Sequence, residues 1–276
     1  MDSIIRTALR EDVGRGDITT RLTVPAKTAA EALMIAKEDG IIFGLEAAKE
    51  VFRTLDRSVK FSARVKEGSR VEKGTVLAKI KGPAAAILTG ERTALNFVQR
   101  LSGVATAAGQ YASKLKGTKA RLLDTRKTTP GLRALEKNAV KAGGGTNHRM
   151  GLYDAVLIKD NHIALAGGVK AALKKAKAGT KLPVEIEVEI MRQLQEALDG
   201  GADRILLDNM TIGRLKKAVS AVKKWNNIRR KKVTTEASGG INLSNIRQVA
   251  LTGVDFISTG AVTHSAQALD ISLEIK

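Results

Sequence analysis

The feature that most constrains this chain is a rhythm that begins near residue 118. Short apolar or β-branched runs recur at "ARLLDTR", "AVLIKDN", "PVEIEVE", "RILLDNM", "KVTTEASGG" and "VDFISTG". Segments with helical spacing lie between most of them, among them "GGVKAALKKAKAGT", "MRQLQEALDGGA", "TIGRLKKAVSAVKKW" and "NLSNIRQVALTG". Strands joined through helices run in the same direction, and such crossovers are right-handed. The pattern therefore predicts a parallel α/β arrangement. In "TPGLRALEKNAVKAGG", Thr129 is placed to cap a helix and Pro130 suits its first position. Leu132, Leu135 and Val140 share a face, and Gly143 ends the helix.

The first hundred residues read differently. "DSIIRTALREDVG" and "LEAAKEVFRTL" have helical periodicity, "AEALMIAKEDGIIFG" reads as strand, turn and strand with Asp39-Gly40 at the turn, and "VKFSARVKEGSRVEKGTVLAKIKGP" alternates as short antiparallel strands do. "AAAILTGERTALNFVQRLSGVATAAGQYASKLKG" has glycines at 90, 103 and 109 and predicts two or more helices joining the halves. The first part is a small α+β domain. The stretch "VKEGSRVEKGTVLAKIKG" has the look of a carrier domain but lacks an exposed hairpin lysine with carrier flanks, so it reads as scaffold.

Each parallel run stops at polar residues. The first ends at Asp124, Arg126 and Lys127, the second at Lys159, Asp160 and Asn161, the fourth at Asp208 and Asn209. The fifth ends at Glu236 and Ser238-Gly239-Gly240, and the sixth at Ser258-Thr259-Gly260. The third carries Glu185, Glu187 and Glu189 at alternate positions, hence on one side of the strand. Ordinary polar loops account for one or two such endings. They do not account for six, nor for carboxylates inside an apolar run, where burial without a partner is costly. If the strands form a barrel, all these ends meet at its C-terminal mouth. Arg126, Lys127, His148, Arg149 and Lys159 make a cationic half suited to carboxylates or phosphates. Glu187 and Asp208 make an anionic half suited to a hard cation or an electron-poor sugar carbon. Glycines after the last two strands let backbone N–H groups approach a phosphate.

Composition narrows the partners. The formal charge is +19, from 47 Lys and Arg against 28 Asp and Glu, which favours anions. Aromatic residues are only 3%, so the stacking platforms of a single-strand binder are lacking and nucleic acid is the weaker reading. "KKAKAGTK" and "RRKK" read as solvated faces. No apolar run is long enough to span a bilayer and residues 1–20 show no secretory h-region, so no membrane role is expected. The chain has no cysteine, which excludes disulfides and thiolate metal sites and fits a cytoplasmic location.

The motifs "LDTRKTTPGLRALEKNAVKAGGGTNHRMGL", "LIKDNHI", "VEIEVE", "ILLDNM", "SGGI" and "GVDFISTGAVTHS" closely resemble those of quinolinate phosphoribosyltransferases. "EDVGRGDITT" and "GERTALNFVQRLSGVAT" extend the resemblance over nearly the whole chain. It implies an N-terminal α/β sandwich over residues 1–107, completed by residues 267–276, and an incomplete, seven-stranded α/β barrel over 108–266. It implies transfer of phosphoribosyl from phosphoribosyl pyrophosphate to quinolinate with Mg2+, giving nicotinate mononucleotide, pyrophosphate and CO2. The implied assembly is a homodimer or a hexamer in which one subunit lends Arg92 to its neighbour's pocket. By motif match Arg126, Arg149, Lys159 and the lent Arg92 hold the quinolinate carboxylates, flanked by Thr125 and Lys127 and lined by His148. Glu187 and Asp208 face the ribose and the magnesium. Ser238, Gly239, Gly240, Ser258 and Gly260 hold a phosphate, with His264 nearby.

The implied mechanism is mainly electrostatic. Departure of pyrophosphate leaves a cation-like ribose carbon that a carboxylate stabilises, and the pyridine nitrogen attacks it. The alkylated ring then accepts the electrons left by the adjacent carboxylate as CO2 departs. Lys127 or water returns a proton to the ring. The rival readings are a molybdenum-transport-associated paralogue, a nicotinate phosphoribosyltransferase and a basic nucleic-acid binder. The intact Lys159-Asp160-Asn161-His162 favours the quinolinate enzyme over the first of these. Asp124 and Asp160 are expected to hold the neighbouring cations, and His162 is either a site residue or the partner in a structural hydrogen bond at the strand end.

Overall fold

A computed structural model describes residues 2–276 and divides them into two compact units. The first comprises residues up to Gly109, Thr128–Gly144 and Val262–Lys276; the second comprises Gln110–Lys127 and Gly145–Ala261. The strands, in chain order, are β1 (Ala29–Ala36), β2 (Gly40–Ile41), β3 (Lys60–Ala63), β4 (Arg70–Val71), β5 (Val76–Pro83), β6 (Arg121–Leu123), β7 (Val156–Ile158), β8 (Val184–Val188), β9 (Arg204–Asp208), β10 (Thr234–Ser238), β11 (Phe256–Ser258) and β12 (Ile271–Ile275).

In the first unit an antiparallel sheet runs in the order β12-β1-β5-β3. The C-terminal "ISLEI" pairs with β1, Ala32 opposite Ile275 and Ala36 opposite Ile271, so the chain's last strand completes the N-terminal sheet. The strand–turn–strand expected around Asp39-Gly40 is not a hairpin. β2 pairs with β4 instead, because Asp39 accepts the Lys73 N–H and Ala36 accepts the Gly74 N–H, which ties this corner to the next turn. Helix Leu45–Leu55 buries Leu45, Ala48, Val51 and Phe52, and Phe52 stacks on Phe61 of β3 with ring centroids 6.2 Å apart.

The helices expected between residues 84 and 117 are a single 31-residue helix, Ala84–Lys114. Its glycines are points of close approach, not breaks. A Cβ on Gly103 would lie 1.9 Å from the Gln267 carbonyl oxygen, and one on Gly109 would lie 2.5 Å from Ile41 Cδ1. The segment 128–144 also differs from expectation. Its helix is Arg133–Ala142, beginning after Gly131 at φ +80°, and Thr129 does not cap it. Thr129 instead donates its hydroxyl to Glu136 Oε1 (2.8 Å) and its N–H to Oε2 (3.1 Å). Glu136 is fully buried and also receives Arg100 Nε (3.0 Å) and Nη2 (2.8 Å) from the long helix. That ion pair, and the approach of Gly143 to Ala105 and Ala108, explain why 128–144 groups with the first unit although the sequence places it among the parallel strands.

The second unit is a six-stranded parallel sheet in the order β6-β11-β10-β9-β8-β7. Among the described residues β7 and β6 do not pair, so the barrel is open. Beyond the six strands, a one-residue parallel bridge joins Leu123 to Thr146. Helices Val169–Gly179, Met191–Asp199 and Ile212–Arg229 follow β7, β8 and β9 in the chain and bury Leu173, Leu194, Ala197, Leu215 and Val219. In β8, Val184, Ile186 and Val188 are buried on one face, while Glu185 and Glu187 alternate onto the other. A strand whose second face is polar is unusual in a parallel sheet and marks an interior that carries charge.

Candidate functional site

Because all six strands are parallel, their C-terminal ends gather on one side of the second unit. At the end of β6, Asp124 is fully buried. Its Oδ1 accepts the His148 N–H (2.8 Å) and its Oδ2 accepts the Asn147 side-chain amide. The acid expected to hold neighbouring cations thus fixes the 145–149 segment beside β6. Thr125 Oγ1 accepts the Lys127 N–H (3.0 Å), which turns the chain and leaves Arg126 and Lys127 exposed.

Arg149 is half-buried. Burial and the nearby Arg126 charge push its pKa down, while Glu185 and Asp154 pull the other way. Two guanidiniums are therefore close enough to repel, as in a site waiting for an anion. Lys159, at the end of β7, donates its backbone N–H to His162 Nδ1 (2.9 Å), the structural one of the two roles expected of that histidine. The Lys159 ammonium reaches Glu187 Oε2 at 2.8 Å. On the adjacent strand, burial and then the Glu187 charge raise the pKa of Asp208. Glu187, Asp208 and Lys159 thus form one group. Glu189, expected on the same side as Glu187, is exposed beyond the strand.

The glycines after β10 are required by geometry. Gly239 has φ +93°, and a Cβ there would lie 2.1 Å from Asn209 Oδ1. Asn209, itself at φ +50°, donates its N–H to the Ser238 carbonyl (2.9 Å) and its side-chain amide to Asp208 (2.7 Å). Ser238-Gly239 and Asp208-Asn209 are in this way locked together. Ser258, Thr259 and Gly260 are buried at the end of β11, where Thr259 donates its N–H to the Leu123 carbonyl (3.2 Å).

Thr125, Arg126, Lys127, His148, Arg149, Lys159, Glu187, Asp208, Ser238, Gly239, Gly240, Ser258 and Gly260 all belong to the second unit. Arg92, exposed on the long helix, and His264, whose Nδ1 is 2.7 Å from the Ser265 hydroxyl, belong to the first unit. Both ring nitrogens of His148 are engaged by the protein. Nδ1 accepts the Arg149 N–H (2.7 Å), and Nε2 faces Glu185 Oε2 (3.1 Å) and Glu236 Oε2 (3.5 Å). The sequence reading assigned Glu185 and Glu236 no role. Their signal was present in the alternation of Glu185 with Glu187 and in an acid lying mid-strand in "TTEAS".

Oxygen-only Glu187 and Asp208 suit a hard divalent cation, and their mutual repulsion is what such an ion would relieve. His148, Glu185 and Glu236 also offer three ligand atoms within 4.8 Å of one another. There, however, Arg204 Nη1 is 3.5 Å from Glu236 and 3.9 Å from Glu185, so the countercharge is already a guanidinium.

An open parallel α/β barrel with paired guanidiniums, a lysine–carboxylate pair and a glycine turn at its strand ends defines an enzyme for anionic substrates. Residues 104–274 match the family described as Quinolinate phosphoribosyl transferase, C-terminal domain, and residues 17–102 match its N-terminal domain. The chain is 45% identical over 96% of its length to the probable nicotinate-nucleotide pyrophosphorylase [carboxylating] of Bacillus subtilis, covering 90% of that protein. It is 44% identical to the Mycobacterium leprae nicotinate-nucleotide pyrophosphorylase [carboxylating], covering 98% of this chain and 95% of that one. The solved nicotinate-nucleotide pyrophosphorylase from Francisella tularensis superposes with a TM-score of 0.94 at 40% identity, covering 100% of this chain and 95% of that one. The chain belongs to the quinolinate phosphoribosyltransferase family, the decarboxylating enzymes of NAD biosynthesis.

Proposed function

We propose that quinolinate binds with its carboxylates on Arg126, Arg149 and Lys159, completed by Arg92 of a second subunit, and that phosphoribosyl pyrophosphate lies between Glu187–Asp208 and the 238–240 and 258–260 turns. What supports this reading is that Arg126 lies close enough to the half-buried Arg149 for its charge to add to burial in lowering the Arg149 pKa, in the same unit as the Lys159–Glu187–Asp208 group. A dianion offsets the charge of the two arginines, and a ribose carbon gaining positive charge is stabilised by the carboxylates of that group. Glu187 and Asp208 would hold Mg2+, which when bound would neutralise charge on the departing pyrophosphate. Thr125 and the Lys127 backbone shape the turn that presents Arg126, and Lys127 or water returns a proton to the ring carbon after CO2 leaves. The backbone N–H groups at Gly239, Gly240 and Gly260, with Ser238 and Ser258, serve a phosphate.

A homodimeric or hexameric assembly with a shared site is the corresponding quaternary arrangement. It is supported by exposed Ile18 and Leu22 on the first unit and Leu152, Tyr153 and Leu165 on the second, apolar surface of the kind interfaces cover. No helix of the described residues is long and apolar enough to cross a membrane, and with a cysteine-free sequence we assign the enzyme to the cytoplasm. The test is incubation of the full chain with phosphoribosyl pyrophosphate, Mg2+ and quinolinate labelled in the 2-carboxylate. Label released as CO2 with formation of nicotinate mononucleotide is expected. Consumption of nicotinate with no turnover of quinolinate would refute the reading.

A further inference from the structure

The reaction as described uses no part of the buried cluster beneath the mouth of the second unit. Its parts are set by register. Glu185 on β8 lies directly opposite Arg204 on β9, and Glu236 on β10 is paired with Leu206 on one side and Phe256 on the other. Arg204 lies over the Phe256 ring, 4.2 Å from its centroid, and turns its guanidinium to both carboxylates. The imidazole of His148, 9% exposed, closes the cluster from above.

Burial pulls the His148 pKa down, yet hydrogen bonds and charge from Glu185 and Glu236 outweigh it and raise the pKa to about 9. The Arg149 N–H aimed at Nδ1 competes with protonation at that nitrogen, so Nε2 is the nitrogen that carries its proton toward Glu185 and Glu236. The ring is thus a bridge. One end is anchored on two carboxylates and the other receives the backbone N–H of the residue that presents a guanidinium to the substrate. The preceding peptide is anchored too, because Asp124 accepts the His148 N–H.

We propose that Glu185 and Glu236 are positioning residues that act through His148 to fix the backbone at Arg149 and so direct its guanidinium. The proposal rests on the reading of Arg149 as a carboxylate-binding residue. Misplacing such a group by a fraction of an ångström weakens the substrate it grips and leaves the other untouched. The cluster is also costly, with two acids in the interior and one arginine to balance them, as expected of a functional device.

The experiment is a mutant cycle on the full chain. Glu236→Leu, with the gentler Glu185→Gln as a second variant, is made alone and in the Arg149→Ala background. Steady-state kinetics are measured with each substrate varied, and circular dichroism checks the fold. Each single variant should raise KM for quinolinate about tenfold, with KM for phosphoribosyl pyrophosphate within about twofold of the parent. In the Arg149→Ala background the same changes should add nothing. Full additivity there would mean that the cluster acts on substrate without Arg149, and would overturn the proposal. A folded Glu185→Gln variant with unchanged quinolinate KM would also overturn it, as would a stoichiometric metal ion in the purified parent that is lost on Glu236→Leu. An inactive parent chain would instead refute the proposed function, so the two failures are distinguishable.

Discussion

Replacing Arg149 by alanine tests the anion site directly, because the structure separates its expected effect on binding from its effect on folding. A guanidinium facing a carboxylate makes up to two charge-assisted hydrogen bonds at about 1.5–3 kcal/mol each. Relief of the Arg126 repulsion returns part of that, leaving a net loss of about 2–4 kcal/mol, or roughly 30- to 700-fold in affinity for quinolinate. Affinity for phosphoribosyl pyrophosphate should hardly change. Stability should move the other way. The Arg149 pKa is lowered in the folded chain, first by burial and then by Arg126, so the charged form is disfavoured there relative to the unfolded state. Its charge opposes folding, and the side chain's bond to the Ala155 carbonyl is long, at 3.4 Å. Arg149→Ala should therefore melt at the parent temperature or above it. Titration calorimetry with each substrate and a thermal melt are sufficient. Equal weakening of both substrates together with a lowered melting temperature would show Arg149 to be structural and refute the reasoning.

Other outcomes follow from particular contacts. Glu136→Ala removes the buried partner of Arg100 and the anchor of Thr129, and should cost about 3–5 kcal/mol in denaturant unfolding, whereas Glu46→Ala, which breaks only an exposed pair with Lys49, should leave the midpoint unchanged. Gly103→Ala should destabilise by about 3 kcal/mol because its Cβ would meet the Gln267 carbonyl, while Gly213→Ala, with open space around it, should gain up to about 1 kcal/mol; paired melts compare them. Subunits carrying Arg92→Ala, mixed with subunits carrying Lys159→Ala, should recover activity through hybrid pockets. No recovery after demonstrated subunit exchange would reject a shared site.

The residues that were legible in the sequence are those whose roles depend on strand periodicity. β8 shows why. Alternation along "VEIEV" is enough to put Val184, Ile186 and Val188 on one face and Glu185 and Glu187 on the other. The polar ends of six parallel strands then have only one side of the sheet on which to meet. What the sequence concealed depends on partners distant in the chain. Gly90, Gly103 and Gly109 read as breaks, because a glycine that ends a helix and one that admits a neighbour are the same letter. Thr129 resembled a cap because the competing acceptor, Glu136, is itself fixed by Arg100, 36 residues earlier. His148 was legible as a polar residue near the strand ends. The partners of its ring were not, because Glu185 and Glu236 lie on strands whose places on either side of β9 follow only from the fold.

The free site is electrostatically unfavourable on both sides. Arg126 and Arg149 repel, and Asp208 is held against burial and the Glu187 charge. Lys159, which pairs directly with Glu187 across the halves, is half open to solvent, with 47% of its side chain exposed. Water screens a pair so exposed, and its attraction does little to satisfy either half. A site that neutralised itself would be more stable and would gain less from a dianion at one end and a metal-bound polyphosphate at the other. Sequence changes that relax these repulsions should raise stability and lower affinity together. An Arg126 or Arg149 variant that gained both would show that the strain has no part in binding.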